Sequence, residues 1–198
     1  YLGGYFQSVN GASDTRAFAA VRQDNGGFVS GVADYEPNYE VGARGRVHAV
    51  AAVNGLVFVA GEEHTTQVLY ESNLTRKYVH YTGQPANQGW ALQGGGDFQD
   101  LEVVGDRVYA SCHCWNQHLD AANGNLYPTT APGPGTWAPV RSVVAYSASG
   151  GERIPSFSPV LNGSSGVWAM KGHSTDGCLW AGGQFTQVDG SSRKHLTR

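Results

Sequence analysis

The chain has 198 residues, 40% of them apolar and 15% charged, with a formal net charge of -3 and 28 glycines. That apolar share suits one sizeable core and excludes a disordered segment, while slight acidity with scattered cations excludes the clustered basic surface of a nucleic-acid binder. No run approaches the ~20 apolar residues of a membrane-spanning helix, so the chain reads as one that does not insert into a membrane.

Glycine at about 14%, roughly twice its usual share, predicts many tight turns and short strands rather than long helices. The chain opens at Tyr1 without a methionine or a secretion signal and stops at Arg198 inside a recurring pattern, which reads as a fragment of a longer chain. Arg193, Lys194 and Arg198 gather positive charge at one end, as a solvated terminus does.

In chain order the first element is Tyr1-Leu2-Gly3-Gly4-Tyr5-Phe6-Gln7-Ser8-Val9-Asn10-Gly11. It returns 179 residues later as Trp180-Ala181-Gly182-Gly183-Gln184-Phe185-Thr186-Gln187-Val188-Asp189-Gly190. Between the two, Phe58-Val59-Ala60-Gly61 and Tyr109-Ala110-Ser111-Cys112 repeat the same aromatic, apolar, small, small step. The successive spacings, Gly3 to Ala60, Ala60 to Ser111 and Ser111 to Gly182, are 57, 51 and 71 residues.

Each unit has the same order of parts. A β-rich run follows the small-residue step, at Arg16 to Arg22, Gln67 to Glu71 or Arg141 to Tyr146, and a second extended segment comes after it. Next come an apolar strand (Val47 to Val53, Phe98 to Val104, Val167 to Met170) and a turn. The first two turns, Asn54-Gly55 and Gly105-Asp106, suit two-residue hairpins, and the third is longer, Lys171 to Gly177. The returning strands are Leu56 to Ala60, Arg107 to Ser111 and Leu179 to Gly182.

Four short strands repeated every ~50 residues cannot bury both faces alone, so the units must stack, and radial stacking gives a β-propeller. The small pairs either mark turns or let crowded strands converge, and their constant phase after an apolar run favours crowding. The expected fold is all-β: a partial β-propeller of about three four-stranded antiparallel blades. Residues 1–198 form one fragment of a propeller domain, with repeat units at about 3–59, 60–110 and 111–181 and the start of another at 182–198.

Gly-Gly-x-Phe followed by Val-Asn-Gly or Val-Asp-Gly, then an Arg-containing strand, resembles the delta-sixty repeat propellers of bacterial surface proteins, which are related to fungal cell-polarity propellers. The end copies carry the match over about 35 residues. In the middle copies Glu62-Glu63-His64 follows Gly61, and Cys112-His113-Cys114 replaces Gly-x-Phe. Three blades are too few for the usual ring of four to eight, so remaining blades of a longer parent chain or other copies of this one are expected partners.

The longest unit carries an insertion, Trp115 to Pro139, stiffened by Pro128, Pro132, Pro134 and Pro139. Its aromatics Trp115, Tyr127 and Trp137 either contact a surface glycan or protein or fold back over a blade edge. Cys112, Cys114 and His118 are metal-capable, but the paired clusters of a structural zinc site are incomplete, and strand alternation sets His113 opposite the two cysteines. The reading favours a disulfide from Cys112 or Cys114 to Cys178, with zinc or free buried thiols as alternatives.

Asp120 to Asn125 reads as an Asx-rich turn rather than a calcium loop, and Glu62-Glu63-His64 as a solvated edge rather than an acid-base group. Nucleophile elbows, zinc-protease motifs and phosphate loops are absent from the sequence, and Gly94-Gly95-Gly96 precedes a strand rather than a helix. No catalytic residue, metal or cofactor is assigned. The expected function is a non-catalytic extracellular or cell-surface recognition and adhesion module. Alternatives are a virion propeller, as in a phage tail, acting as scaffold or receptor contact, and a propeller glycan hydrolase or lyase.

Overall fold

The structure, a computed structural model, describes residues 1–12, 15–30, 46–61, 96–114, 142–149 and 153–198 in full. It also describes the backbone of short strands at 35–36, 65–70, 78–79, 88–94, 116–119 and 137–139. The described residues are all-β, without a helix.

The first strands are β1 (Leu2–Gly3), β2 (Phe18–Ala19) and β3 (Tyr35–Glu36). The next group is β4 (Val47–Val53), β5 (Leu56–Gly61), β6 (Thr65–Tyr70), β7 (Tyr78–Val79) and β8 (Gln88–Gly94). Then come β9 (Phe98–Val104), β10 (Arg107–Cys112), β11 (Asn116–Leu119), β12 (Trp137–Pro139) and β13 (Val143–Ser147). The last are β14 (Val167–His173), β15 (Cys178–Gly183), β16 (Gln187–Val188), β17 (Ser191–Ser192) and β18 (Leu196–Thr197).

Three larger sheets have the orders β12-β11-β8-β6-β5-β4, β13-β10-β9 and β14-β15-β18. They are six- and three-stranded where four strands were expected, and the first gains its extra strands because β11 and β12, at the two ends of the long insertion, extend it beyond β8. The apolar strands at 47–53 and 98–104 have the expected bounds. The third runs past Met170 to His173, and its turn contracts to residues 174–177.

The hairpins β4–β5, β9–β10 and β14–β15 share one register. Val47 lies opposite Gly61, Phe98 opposite Cys112 and Val167 opposite Gly183. In each, the ladder resumes two residues on, at Ala49, Asp100 and Ala169, while the other strand advances by one. The extra residue, His48, Gln99 or Trp168, is a β-bulge, and a bulge shifts the in-out alternation by one place.

First and fourth residues of each strand therefore share a face: Val47 and Val50, Phe98 and Leu101, Val167 and Met170. The first pair packs on Phe18 and Ala17, the second on Phe58 and Ala60, the third on Tyr109 and Val143. The sheets thus lie face on face, with an apolar layer between successive ones, and fully buried Phe58 and Phe98 contribute ~1.5–3 kcal/mol each.

β4, β9 and β14 are each the edge of a sheet, packed side by side although they belong to different sheets. Edge strands expose unpaired N–H and C=O groups, and side chains from the neighbouring edge meet them here. His48 Nδ1 donates to the Phe98 carbonyl (2.8 Å). Asp100 accepts from the Met170 N–H as well as from that of Leu101, and Glu102 accepts from the Gly172 N–H (3.0 Å) and Lys171 Nζ (2.9 Å).

Burial pushes the Asp100 carboxyl above its ordinary range, and the two N–H donors pull the other way. Truncation at this half-buried junction strands the Met170 N–H between two sheets. Asp100→Ala is expected to lower unfolding free energy by about 1–3 kcal/mol, read from the urea midpoint at unchanged slope.

Candidate functional site

The outer face of the β14–β15–β18 sheet brings exposed apolar and cationic groups together. Alternation along β15 sends Leu179 and Ala181 inwards to the core, and Cys178, Trp180 and Gly182 outwards. Lys171 lies opposite Trp180, and Ala169 and Leu196 flank Gly182 on the neighbouring strands. Trp180 is 41% exposed and Leu196 57%.

A polar cluster closes the hairpin end of this face. Asp176 pairs with Arg198 through Oδ2 (3.0 Å) and with His173 Nδ1 through Oδ1 (3.1 Å), and its Oδ1 also accepts the Cys178 N–H (3.1 Å). Arg198 Nε donates to Cys178 Sγ (2.9 Å), and the guanidinium carbon stands 5.9 Å from the Trp180 ring centroid. The Cys178 N–H, with smaller help from His173 and Arg198, holds the Asp176 carboxyl below its ordinary value, while the bond to Cys178 raises Arg198. Such a surface, an indole beside two cations that are themselves paired with Glu102 and Asp176, can stack on a flat apolar group.

The cysteines depart from expectation. Cys112 and Cys114 form a disulfide with each other, with Cα atoms 5.1 Å apart, and Cys178 carries no bridge. The cause is a turn. β10 ends at Cys112, whose N–H donates to the Ser142 carbonyl, and the Ser142 N–H donates back to the Cys114 carbonyl. Gly4 and Phe6 clasp Ala17 in the same way, and Gly183 and Phe185 clasp His195. Ala17, Ser142 and His195 all have positive φ, at 59°, 69° and 64°. The disulfide thus occupies the place that Gly-x-Phe holds in the other two turns, and with both sulfurs joined, neither is a thiolate ligand for a metal.

Of the aromatics singled out in the sequence, Trp115 and Tyr127 lie outside the described residues. Trp137 opens β12, its backbone paired with His118 of β11. Glu62 to His64 and Asp120 to Asn125 also lie outside. Sequence reasoning passed over Trp180 as a contact residue because it marks it only as the aromatic of its step, a position that is buried at Phe58 and Tyr109 and exposed at Tyr1. No protein-family model matches the chain and no curated protein matches it, so the delta-sixty resemblance stands on its residues alone.

Asp176 supplies a pH test. A carboxyl lowered in the folded state stabilises the fold above its unfolded pKa, and that contribution fades as pH falls through the lower folded value. Its NMR titration midpoint is expected below the ordinary 3.8, and Arg198→Ala should move the midpoint upwards. A midpoint unmoved by the substitution would contradict the ion pair.

Proposed function

We propose that the chain is part of a β-propeller that serves as an extracellular recognition module and presents its long insertion to a surface glycan or protein. Support for the propeller comes from β4, β9 and β14, three sheet edges with one register and one bulge that pack side by side, as innermost strands around a shared axis do. A ring of four to eight blades would be completed by blades outside these residues or by other copies of the chain. No catalytic role is assigned.

The observation that carries the recognition reading is the antiparallel pairing of β11 with β12. It closes the base of the 115–139 insertion at the edge of the six-stranded sheet farthest from β4. A long segment anchored at both ends on a rigid sheet is a usual seat of binding residues. Trp115, Tyr127 and Trp137 are the proposed contacts, because indole and phenol rings stack on the apolar faces of sugars while their polar atoms stay wet.

Screening the full chain on a glycan panel tests this directly. A bound glycan should lose at least about tenfold in affinity, ~1.4 kcal/mol, in Trp137→Ala at unchanged melting temperature. Full affinity in Trp115→Ala, Tyr127→Ala and Trp137→Ala alike would remove the insertion as the binding element.

A further inference from the structure

Every described junction between sheets is built from the same two parts. The later sheet supplies an apolar pair at the first and fourth residues of its edge strand. The earlier sheet supplies a ring and a small residue: Phe58 and Ala60 at the second junction, Tyr109 and Ser111 at the third, and at the first Gly3 of the step with Phe18 of β2 as the ring.

At the first junction a Cβ on Gly3 would run into Val47 Cγ1 and come within 2.7 Å of Val50 Cγ2. At the second, Ala60 and Phe58 share a core cluster with Phe98 and Leu101. At the third, Tyr109 shares one with Val167 and Met170, and Ser111 beside it is fully buried.

A fourth copy of the step, Trp180 and Gly182, has the same parts and no such cover among the described residues. The nearest atoms to a Cβ on Gly182 would be the carbonyl oxygens of His195 at 3.7 Å and Ala169 at 4.0 Å. Trp180 is 41% exposed, where Phe58 is 0% and Tyr109 8% exposed; Tyr1, in the opening copy, is 38% exposed, so the contrast rests on the glycines. Gly182 has no left-handed backbone to demand glycine. Its missing side chain leaves room that Gly3 gives to valines and Gly182 gives to nothing described.

We propose that the outer face of the β14–β15–β18 sheet is a docking socket for a β-hairpin of a partner polypeptide whose edge strand carries apolar side chains at its first and fourth residues. The pair would seat on Gly182 beside Trp180, with Ala169 and Leu196 as the apolar margin. The occupant is defined by continuity with the three filled junctions, each of which takes a strand of that pattern: Val/Val, Phe/Leu and Val/Met. The inference rests on the stacked-sheet part of the proposed function and is independent of the glycan contact, so each can fail without the other.

The test titrates the full chain with a synthetic hairpin peptide of residues 46–61, which holds Val47, Val50 and the Asn54-Gly55 turn. Saturable binding by calorimetry is expected, with NMR shifts confined to the amides of Ala169, Trp180 to Gly182 and Leu196. Gly182→Val should keep the parent's melting temperature and bind the peptide at least about tenfold more weakly, whereas Gly3→Val, at a filled junction, should melt earlier. A peptide with aspartate at both valine positions should not bind.

Absence of saturable binding at ~1 mM peptide, shifts on another face, or unweakened binding by Gly182→Val would each overturn the proposal. So would a fall in melting temperature in Gly182→Val equal to that in Gly3→Val, because it would mean that the space is already filled.

Discussion

The layers of this protein are held by side chains seated across sheet faces, because among the described residues no strand ladder runs from one large sheet to the next. That seating depends on a single extra residue near the start of each edge strand. Without the bulge at His48, Gln99 or Trp168, alternation would send the first and fourth residues to opposite faces. With it, both face the preceding sheet, and the third and fifth, such as Asp100 and Glu102, face the next. One backbone irregularity sets the direction in which the stack grows.

Edges brought together in this way create a polar problem. Among the described residues, the N–H groups of β14 on the side away from β15 have no strand to pair with, and water is partly excluded from them. Carboxylates two residues apart on β9 match the spacing of alternate N–H groups on β14, so Asp100 and Glu102 act as a short artificial strand. The cost is visible in Asp100, whose charge is disfavoured by burial and sustained by the two donors. His48 solves the equivalent problem between β4 and β9 with a ring donor.

The clasping turn after the returning strand shows one geometry fixed by two chemistries. Phe185, 2% exposed, anchors the turn around His195 by burial in the third core layer. Around Ser142 the anchor is Cys114, 3% exposed and tied to Cys112. A buried ring and a covalent link each keep the carbonyl of that residue aimed at the N–H of a left-handed one. Covalent closure over two residues needs no partner from another sheet, which is why Cys178 is left free at the hairpin end.

The all-β character, the bounds of β4 and β9, the Asn54-Gly55 turn and the phase of the aromatic-and-small steps were legible in the residues, because hydrophobic periodicity and turn chemistry are local. Local pattern also marked Cys112 to Cys114 as the place where the motif changes. What it did not carry was any quantity defined between distant residues: which cysteines meet, that β14 continues to His173 beside Glu102, that β11 and β12 join the edge beyond β8, or that Trp180 is bare where Phe58 is covered. Those depend on which face each sheet turns to its neighbour. Face is decided by bulge position and by what packs opposite, and only the tertiary structure specifies both.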